Sequence, residues 1–137
     1  MKISKIDHVG ILVRDLESAM RLYSDVLGIK PALIEENEAY HVKIAFMPVG
    51  GVLVELLEPT DRGGLQEWLD QHGEGIDHVA FKVDDIDRAL EECRRAGVPL
   101  ADETPKPGGA GARVAFLKRE AANGVSIELK EGGTDLT

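Results

Sequence analysis

The sequence predicts an α+β fold in which two tandem β-α-β-β-β modules form a cupped, mostly antiparallel sheet. An internal repeat is the first observation behind this prediction. Ile6-Asp7-His8-Val9-Gly10-Ile11 resembles Ile76-Asp77-His78-Val79-Ala80-Phe81, at an offset of about 70 residues. With a slip of three residues, Val54-Glu55-Leu56 matches Ile127-Glu128-Leu129. The second observation is that strand and helix signals follow in the same order in both copies. The predicted single domain covers residues 1–137, with module 1 at about 4–60, a connecting helix at about 63–73 and module 2 at about 75–130.

The first module begins with a strand and a helix. The segment from Val9 to Val13 alternates apolar residues with others, which is the period of a half-buried strand. A helix follows, with Asp15 as its N-cap and Gly28 as its left-handed stop. Its apolar stripe is predicted to contain Leu16, Ala19, either Leu22 or Tyr23, and Val26. Three strand-like segments then lie near residues 30–34, 42–47 and 52–57.

The second module repeats this order. Its helix has Asp84 or Asp85 as the N-cap and an apolar stripe of Ile86, Ala89, Leu90 and Cys93. We interpret Cys93 as a core residue. Gly97 ends the helix and matches Gly28 after a slip of one residue. Three strand-like segments follow near residues 98–100, 113–117 and 125–129.

Composition and charge exclude several classes of function. The chain is 43% hydrophobic and 30% charged, which is typical of a soluble globular protein. Its net charge of −9 argues against nucleic-acid binding, which needs a basic surface. No apolar run reaches the roughly 20 residues that span a bilayer, and the N-terminus lacks a signal-peptide pattern. One cysteine fits a reducing compartment, so we expect a cytoplasmic protein that binds neither nucleic acid nor membranes.

Four polar residues are predicted to share one face of the sheet. His8, Glu55, His78 and Glu128 each point away from the branched apolar residues of their own strands, because successive side chains alternate between faces. If the apolar faces contact the helices, both His–Glu pairs lie inside the cup. Two imidazoles and two carboxylates suit one divalent ion per chain, such as Zn²⁺, Co²⁺, Ni²⁺ or Mn²⁺. We therefore predict that these four residues bind a metal ion.

With these residues, the β-α-β-β-β repeat resembles the vicinal oxygen chelate superfamily, which includes glyoxalases, bleomycin resistance proteins and dioxygenases. The resemblance runs from Ile6 to Leu129. Within the superfamily, the chain is most similar to the methylmalonyl-CoA epimerases. The supporting segments are Val54–Pro59, Gly73–Ile86, Gly124–Leu129 and the glycine-rich loop from Pro105 to Gly111. The resemblance implies an isomerase that acts on an acyl-CoA, and it implies a homodimer.

The expected reaction interconverts (2R)- and (2S)-methylmalonyl-CoA by proton transfer at C2 through a metal-stabilised enolate. Glu128 is the first candidate for a proton carrier, although it could equally be a plain ligand. Lys43 is predicted to face the cup and either to carry a proton or to pair with the substrate carboxylate; a solvated lysine is the alternative. Arg113, Lys118 and Arg119 are candidates for binding the CoA phosphates, although such groups are often only surface charges.

Other functions remain open on the same fold. A glyoxalase I-type lyase would use the same four ligands and a similar proton transfer on a glutathione hemithioacetal. An extradiol dioxygenase would use two His and one Glu around iron, and Glu55 argues against it. A small-molecule-binding protein without a metal would not need the His–Glu set. The chain departs from the epimerase pattern at three places. Lys43 stands where some members carry a Glu, Asp77-His78 stands where many have a His pair, and Leu117-Lys118-Arg119-Glu120 stands where a His-Pro-Lys is common.

Overall fold

The computed structural model describes residues 1–137, which form two compact units. The terminal unit contains residues 1–8 and 78–134, and the central unit contains residues 9–77 and 135–137. The division falls inside two strands, β1 (Ile3–Leu12) and β5 (Gly75–Val83), so each of them contributes residues to both units. The units therefore differ from the sequence modules, because residues 1–8 group with the strands of the second module.

The central unit has the strand order β2-β3-β4-β1. Strands β2, β3 and β4 form an antiparallel ladder, in which Ala45 pairs with Leu56 and Phe46 pairs with Glu55. Helix α1 and a following π-helix cover one face, where Val13, Leu16 and Met47 are buried with Ala45 and Leu56. The elements are α1 (Leu16–Met20), the π-helix (Arg21–Val26), β2 (Leu33–Asn37), β3 (Val42–Val49), β4 (Val52–Pro59) and α2 (Gly64–His72).

The first helix begins as predicted, because Asp15 accepts a hydrogen bond from the backbone N–H of Glu17. Its second half differs from the prediction, since residues 21–26 form a π-helix. Tyr23 packs against the core, whereas Leu22 and Val26 are exposed. Helix α2 lies within the predicted connecting helix, and none of the helices is long and apolar enough to cross a membrane.

The terminal unit has the strand order β1-β5-β8-β7-β6. Strands β5 and β8 are parallel, and β8, β7 and β6 are antiparallel neighbours. Helix α3 covers one face of this sheet, and its predicted stripe is confirmed: Ile86, Ala89, Leu90 and Cys93 are buried. The elements are α3 (Ile86–Arg95), β6 (Lys106–Pro107), β7 (Arg113–Phe116), β8 (Ser126–Glu131) and two 3₁₀ turns, Gly109–Gly111 and Arg119–Ala122.

The strand predicted near residues 98–100 is wrong. Only Leu100 forms an isolated bridge, with Leu117. Pro99 has no N–H group to donate, so a continuous ladder cannot form there. Its carbonyl still accepts from the N–H of Lys118, at 3.0 Å. The second module instead gains the two-residue strand β6, in the glycine-rich loop.

Candidate metal centre

Three of the four predicted ligands meet in the terminal unit. His8 on β1, His78 on β5 and Glu128 on β8 lie on adjacent strands. The parallel register pairs Ala80 with Glu128 and His78 with Ser126, so His78 and Glu128 lie on the same face, two residues apart along the strands. His8 Nε2 is 3.0 Å from His78 Nε2 and 2.7 Å from Glu128 Oε2. His78 Nε2 is 3.9 Å from the same oxygen.

Asp7 fixes the proton of the His8 ring. Its Oδ2 lies 2.8 Å from His8 Nδ1. An ionised carboxylate can only accept, so His8 Nδ1 carries the proton and a neutral ring has its lone pair on Nε2. Burial raises the pKa of Asp7, but hydrogen bonds from His8 and Lys130 outweigh it and hold the pKa well below its ordinary value. The His8 lone pair is therefore on the nitrogen that lies near His78 Nε2 and Glu128 Oε2.

The chemistry of the His8–His78–Glu128 cluster fits a metal ion. Glu128 Oε2 is buried and receives no hydrogen bond, although His8 Nε2 is close. The contact joins lone pair to lone pair, which a shared cation would stabilise. Burial raises the pKa of Glu128, and electrostatic interactions with His8, His78 and Lys130 lower it by more, so the pKa lies below its ordinary value. Two imidazoles and one carboxylate form a set that divalent transition metals accept.

Sequence reasoning missed three side chains of this cluster. Asp7 was given no role, since alternation places it on the opposite face from His8. Lys130 was also missed, although it lies two residues after Glu128 and therefore shares its face. Phe116 packs edge-on against His78, with ring centroids 5.2 Å apart. The only signal for Phe116 was its match with Phe46 in the repeat.

Glu55 lies in the central unit, on β4, and its side chain is buried at 4% exposure. It shares a sheet face with Phe46, its register partner, opposite the helix-covered face that contains Ala45 and Leu56. The predicted orientation within β4 is therefore confirmed. Its role as a ligand stays a prediction.

The expectation that Lys43 shares the face of Glu55 is wrong. Lys43 pairs with Glu58 in the β3–β4 register, and both lie on the face that carries Ala45 and Leu56. Alternation was applied correctly, but both faces of β3 are buried, so the pattern did not reveal which face meets the helix. Its role in proton transfer therefore loses the geometric support that the sequence had suggested, and stays a prediction.

The three basic residues proposed for CoA differ in their surroundings. Arg113 binds two carboxylates, with Nη2 3.1 Å from Asp87 Oδ2 and Nη1 3.0 Å from Glu131 Oε2. The hydrogen bonds to Asp87 and Glu131 raise the pKa of Arg113. Lys118 is exposed and Arg119 is half-buried, at the start of the second 3₁₀ turn. A phosphate would have to compete with two carboxylates for Arg113, whereas no acidic partner is seen for Lys118.

Comparison with known proteins connects this geometry to enzymes. The chain is 33% identical over 131 residues to the mitochondrial methylmalonyl-CoA epimerase of Dictyostelium discoideum, covering 94% of this chain and 79% of the relative. It is 30% identical over 128 residues to the lactoylglutathione lyase of Haemophilus influenzae, covering 93% and 92%. The solved structure of a variant methylmalonyl-CoA epimerase from Streptomyces coelicolor, in complex with 2-nitronate-propionyl-CoA, matches with a TM-score of 0.91 and 31% identity. That match covers 96% of both chains.

This structural match confirms the predicted α+β class, because the two folds superpose over 96% of both chains. The model of the glyoxalase family matches residues 7–116, a range that begins one residue before His8 and ends at Phe116. The chain therefore belongs to the Glyoxalase/Bleomycin resistance protein/Dioxygenase superfamily.

Proposed function

We propose that the chain epimerises (2R)- and (2S)-methylmalonyl-CoA by moving a proton at C2. The observation that carries this proposal is the buried His8–His78–Glu128 cluster, in a chain whose relatives include methylmalonyl-CoA epimerases at about 30% identity. A C–H between a thioester and a carboxylate is weakly acidic, so its removal requires stabilisation of the negative charge that develops on the oxygens. A divalent ion held by this buried cluster would meet that requirement.

His8, His78 and Glu128 would hold the metal, with Glu55 as the predicted fourth ligand. When bound, a divalent ion supplies Lewis-acid stabilisation to the substrate oxygens. Asp7 holds the His8 proton at Nδ1, so Nε2 stays available. We assign proton removal to Glu128 because it is the one carboxylate of the His8–His78–Glu128 cluster, and a ligated carboxylate could detach during turnover to take the proton. Phe116 excludes water from one side of His78.

The second proton carrier that inversion requires has less support. Lys43 remains the residue predicted from the sequence, but it lies on the helix-covered face of β3. A carboxylate such as Glu128 could serve both faces only if it moved during turnover. The proposal therefore assigns proton removal to Glu128 and leaves Lys43 as a hypothesis that mutation tests directly.

A lyase of the glyoxalase I type is the second candidate, because the lactoylglutathione lyase relative is nearly as similar as the epimerases. Both reactions move a proton next to a carbonyl, so the donor cluster suits either. The cluster therefore cannot separate the substrates, and the two must be tested side by side. We also propose a homodimer, from the resemblance, and a cytoplasmic location, from the single cysteine. Sedimentation of the purified protein would test the first, and fractionation of cells would test the second.

The deciding experiment follows C2 of methylmalonyl-CoA by NMR in D₂O, with the metal-free protein and with the protein reloaded with Co²⁺. We expect metal-dependent deuteration at C2 together with inversion. His78→Ala should abolish both, whereas His72→Ala, which removes an exposed histidine from α2, should leave them unchanged. Absence of exchange in the Co²⁺-loaded protein would exclude this substrate. Turnover of the methylglyoxal–glutathione hemithioacetal by the same preparation would then favour the lyase.

A further inference from the structure

We propose that Lys130 is a positioning residue that acts through Asp7 to hold His8 in its metal-binding form. The inference rests on the metal site of the proposed function, but it concerns a residue outside the ligand set. Lys130 lies on β8, two residues after Glu128 and on the same face. It points into the cluster rather than toward solvent.

The contacts form a continuous buried chain. Lys130 Nζ lies 2.8 Å from Asp7 Oδ2, and this same oxygen lies 2.8 Å from His8 Nδ1. Lys130, Asp7 and His8 are 6%, 5% and 3% exposed, respectively. One carboxylate oxygen thus accepts from an ammonium group and from an imidazole at once. A carboxylate held by two donors cannot rotate without losing one of them.

The repeat shows that packing alone does not require a lysine here. The register that matches Glu55 with Glu128 also matches Leu57 with Lys130. Leu57 is 4% exposed, so a leucine is fully buried at the same place in the other copy. Burying a lysine without a partner is strongly unfavourable, and an apolar residue usually costs less even than a paired one. The second copy therefore carries a charge where the first carries a core residue, and only the second copy places that charge beside Asp7.

The geometry gives the lysine a specific effect. The imidazole of His8 can carry its proton on either nitrogen, and only the Nδ1–H form has a lone pair on Nε2 that can bind a metal ion. Asp7 selects that form by accepting from Nδ1. Lys130 keeps the Asp7 carboxylate in the position from which it accepts. Partners of this kind orient metal-bound histidines in many proteins, and their loss weakens metal affinity by roughly 10–100-fold.

The test uses Lys130→Leu, which installs the residue found in the other copy. Co²⁺ affinity is measured by titration calorimetry and by the visible spectrum of the bound ion. We expect the dissociation constant to rise about 10–100-fold. Asp7→Asn should weaken binding similarly. The double variant should bind Co²⁺ no more weakly than the weaker-binding of the two single variants, because both changes break the same chain of contacts. Lys82→Leu is the matched control: it removes the lysine that pairs with Lys130 in the β5–β8 register, and it should leave affinity unchanged.

A second readout does not depend on metal at all. In the metal-free protein, the ¹⁵N chemical shifts of the His8 ring should show the proton on Nδ1, and Lys130→Leu should shift part of the population to Nε2–H. Lys130→Met serves the same purpose if the leucine variant does not fold. Unchanged ring shifts in a folded Lys130 variant would overturn the inference, as would Co²⁺ affinity within about twofold of the native value. Failure of the native protein to bind Co²⁺ would instead contradict the metal site, and the ring shifts would still decide the role of Lys130.

Discussion

The last strands of the two modules, β4 and β8, have the same core residues but differ in one residue near the candidate metal site. In β4, Glu55 faces Phe46, and in β8, Glu128 faces Phe116. The next residue of each strand is a buried leucine of the core under the helix. The residue after it differs, since Leu57 occupies the place of Lys130. The packing of this segment is thus the same in both copies, whereas only the second copy has a buried lysine in it.

The glutamates that end this shared segment have the same structural task. Glu58 Oε1 accepts from the N–H of Leu16, and Glu131 Oε1 accepts from the N–H of Ile86. Each therefore satisfies a backbone donor in the first turn of the helix of its own module, where negative charge is also favoured. In the segment Glu-Leu-X-Glu, the first Glu is a candidate ligand, the Leu is a core residue and the last Glu caps a helix. Only the residue at X differs between the two copies.

The largest expected effect tests whether the two site glutamates are equivalent. Glu128→Gln removes both a ligand and the proposed proton acceptor, so we expect kcat for epimerisation to fall by about 10²–10⁴-fold. Glu55→Gln removes only a predicted ligand, so the main change should be weaker binding of Co²⁺. Steady-state kinetics at saturating Co²⁺ separates these effects. Equal losses of kcat in both variants would show that the two copies share the proton transfer.

Lys43→Ala sharpens the same experiment, because Lys43 lies on the helix-covered face. We expect less than about a tenfold decrease in kcat, since removal of a general acid or base costs at least about 10²-fold. Lys43→Arg, which retains the charge, is the matched control for stability. A loss as large as that of Glu128→Gln would restore Lys43 as a proton carrier. The measurement is the rate of C2 deuteration followed by NMR.

The buried carboxylate of Asp7 should make the stability of the fold depend on pH in the acid range. The pKa of Asp7 is lower in the folded state than its ordinary value of about 3.9. Its ionised form therefore stabilises the fold above pH about 4, and this contribution is lost as pH falls from there toward the folded pKa. Over this acid range, we expect the unfolding free energy of the metal-free native protein to fall by on the order of 2 kcal/mol more than that of the Asp7→Asn variant. Urea unfolding at several pH values measures the difference, and parallel acid profiles would contradict it.

Much of this arrangement could be predicted from the sequence because it depends on periodicity and repetition. The repeat gave the module order, and alternation placed Glu55, His78 and Glu128 on the correct faces of their strands. Lys43 was misplaced because β3 is buried on both sides and alternation alone does not identify the face under the helix. Asp7 and Lys130 were missed because their contact spans 123 positions along the chain, and no local pattern reports such a pair.

Removing a helix cap should lower the unfolding free energy by less than removing a buried charge of the site. Glu58→Ala removes the acceptor of the Leu16 N–H, at 2.9 Å, and should cost about 1 kcal/mol of unfolding free energy. Glu131→Ala removes a longer bond to Ile86, at 3.3 Å, together with the exposed ion pair to Arg113. Its cost should therefore be similar but more sensitive to salt. Urea unfolding in low and high salt distinguishes them, and equal salt sensitivity would show that the ion pair contributes nothing.

The smallest expected effect concerns the helices themselves, which differ by one residue. Tyr23 and Cys93 occupy matching core positions, but four residues separate Tyr23 from Gly28 and three separate Cys93 from Gly97. The extra residue falls inside the π-helix, whose wider turn accommodates it while both ends stay in register. The exposure of Val26, at 73%, follows from the same shift.

Deleting Asp25, which is exposed, should therefore convert residues 21–27 to an α-helix of the length found in α3. Because core positions up to Tyr23 and the stop at Gly28 are retained, we expect the unfolding free energy to change by less than about 1 kcal/mol, within the range of ordinary surface changes. Backbone ¹³C chemical shifts and hydrogen exchange would detect the change from i→i+5 to i→i+4 bonding. Deleting Arg94 from α3, which has no extra residue, is the matched control and should destabilise the fold by more. If both deletions cost the same, the π-helix is held by its packing rather than created by the additional residue.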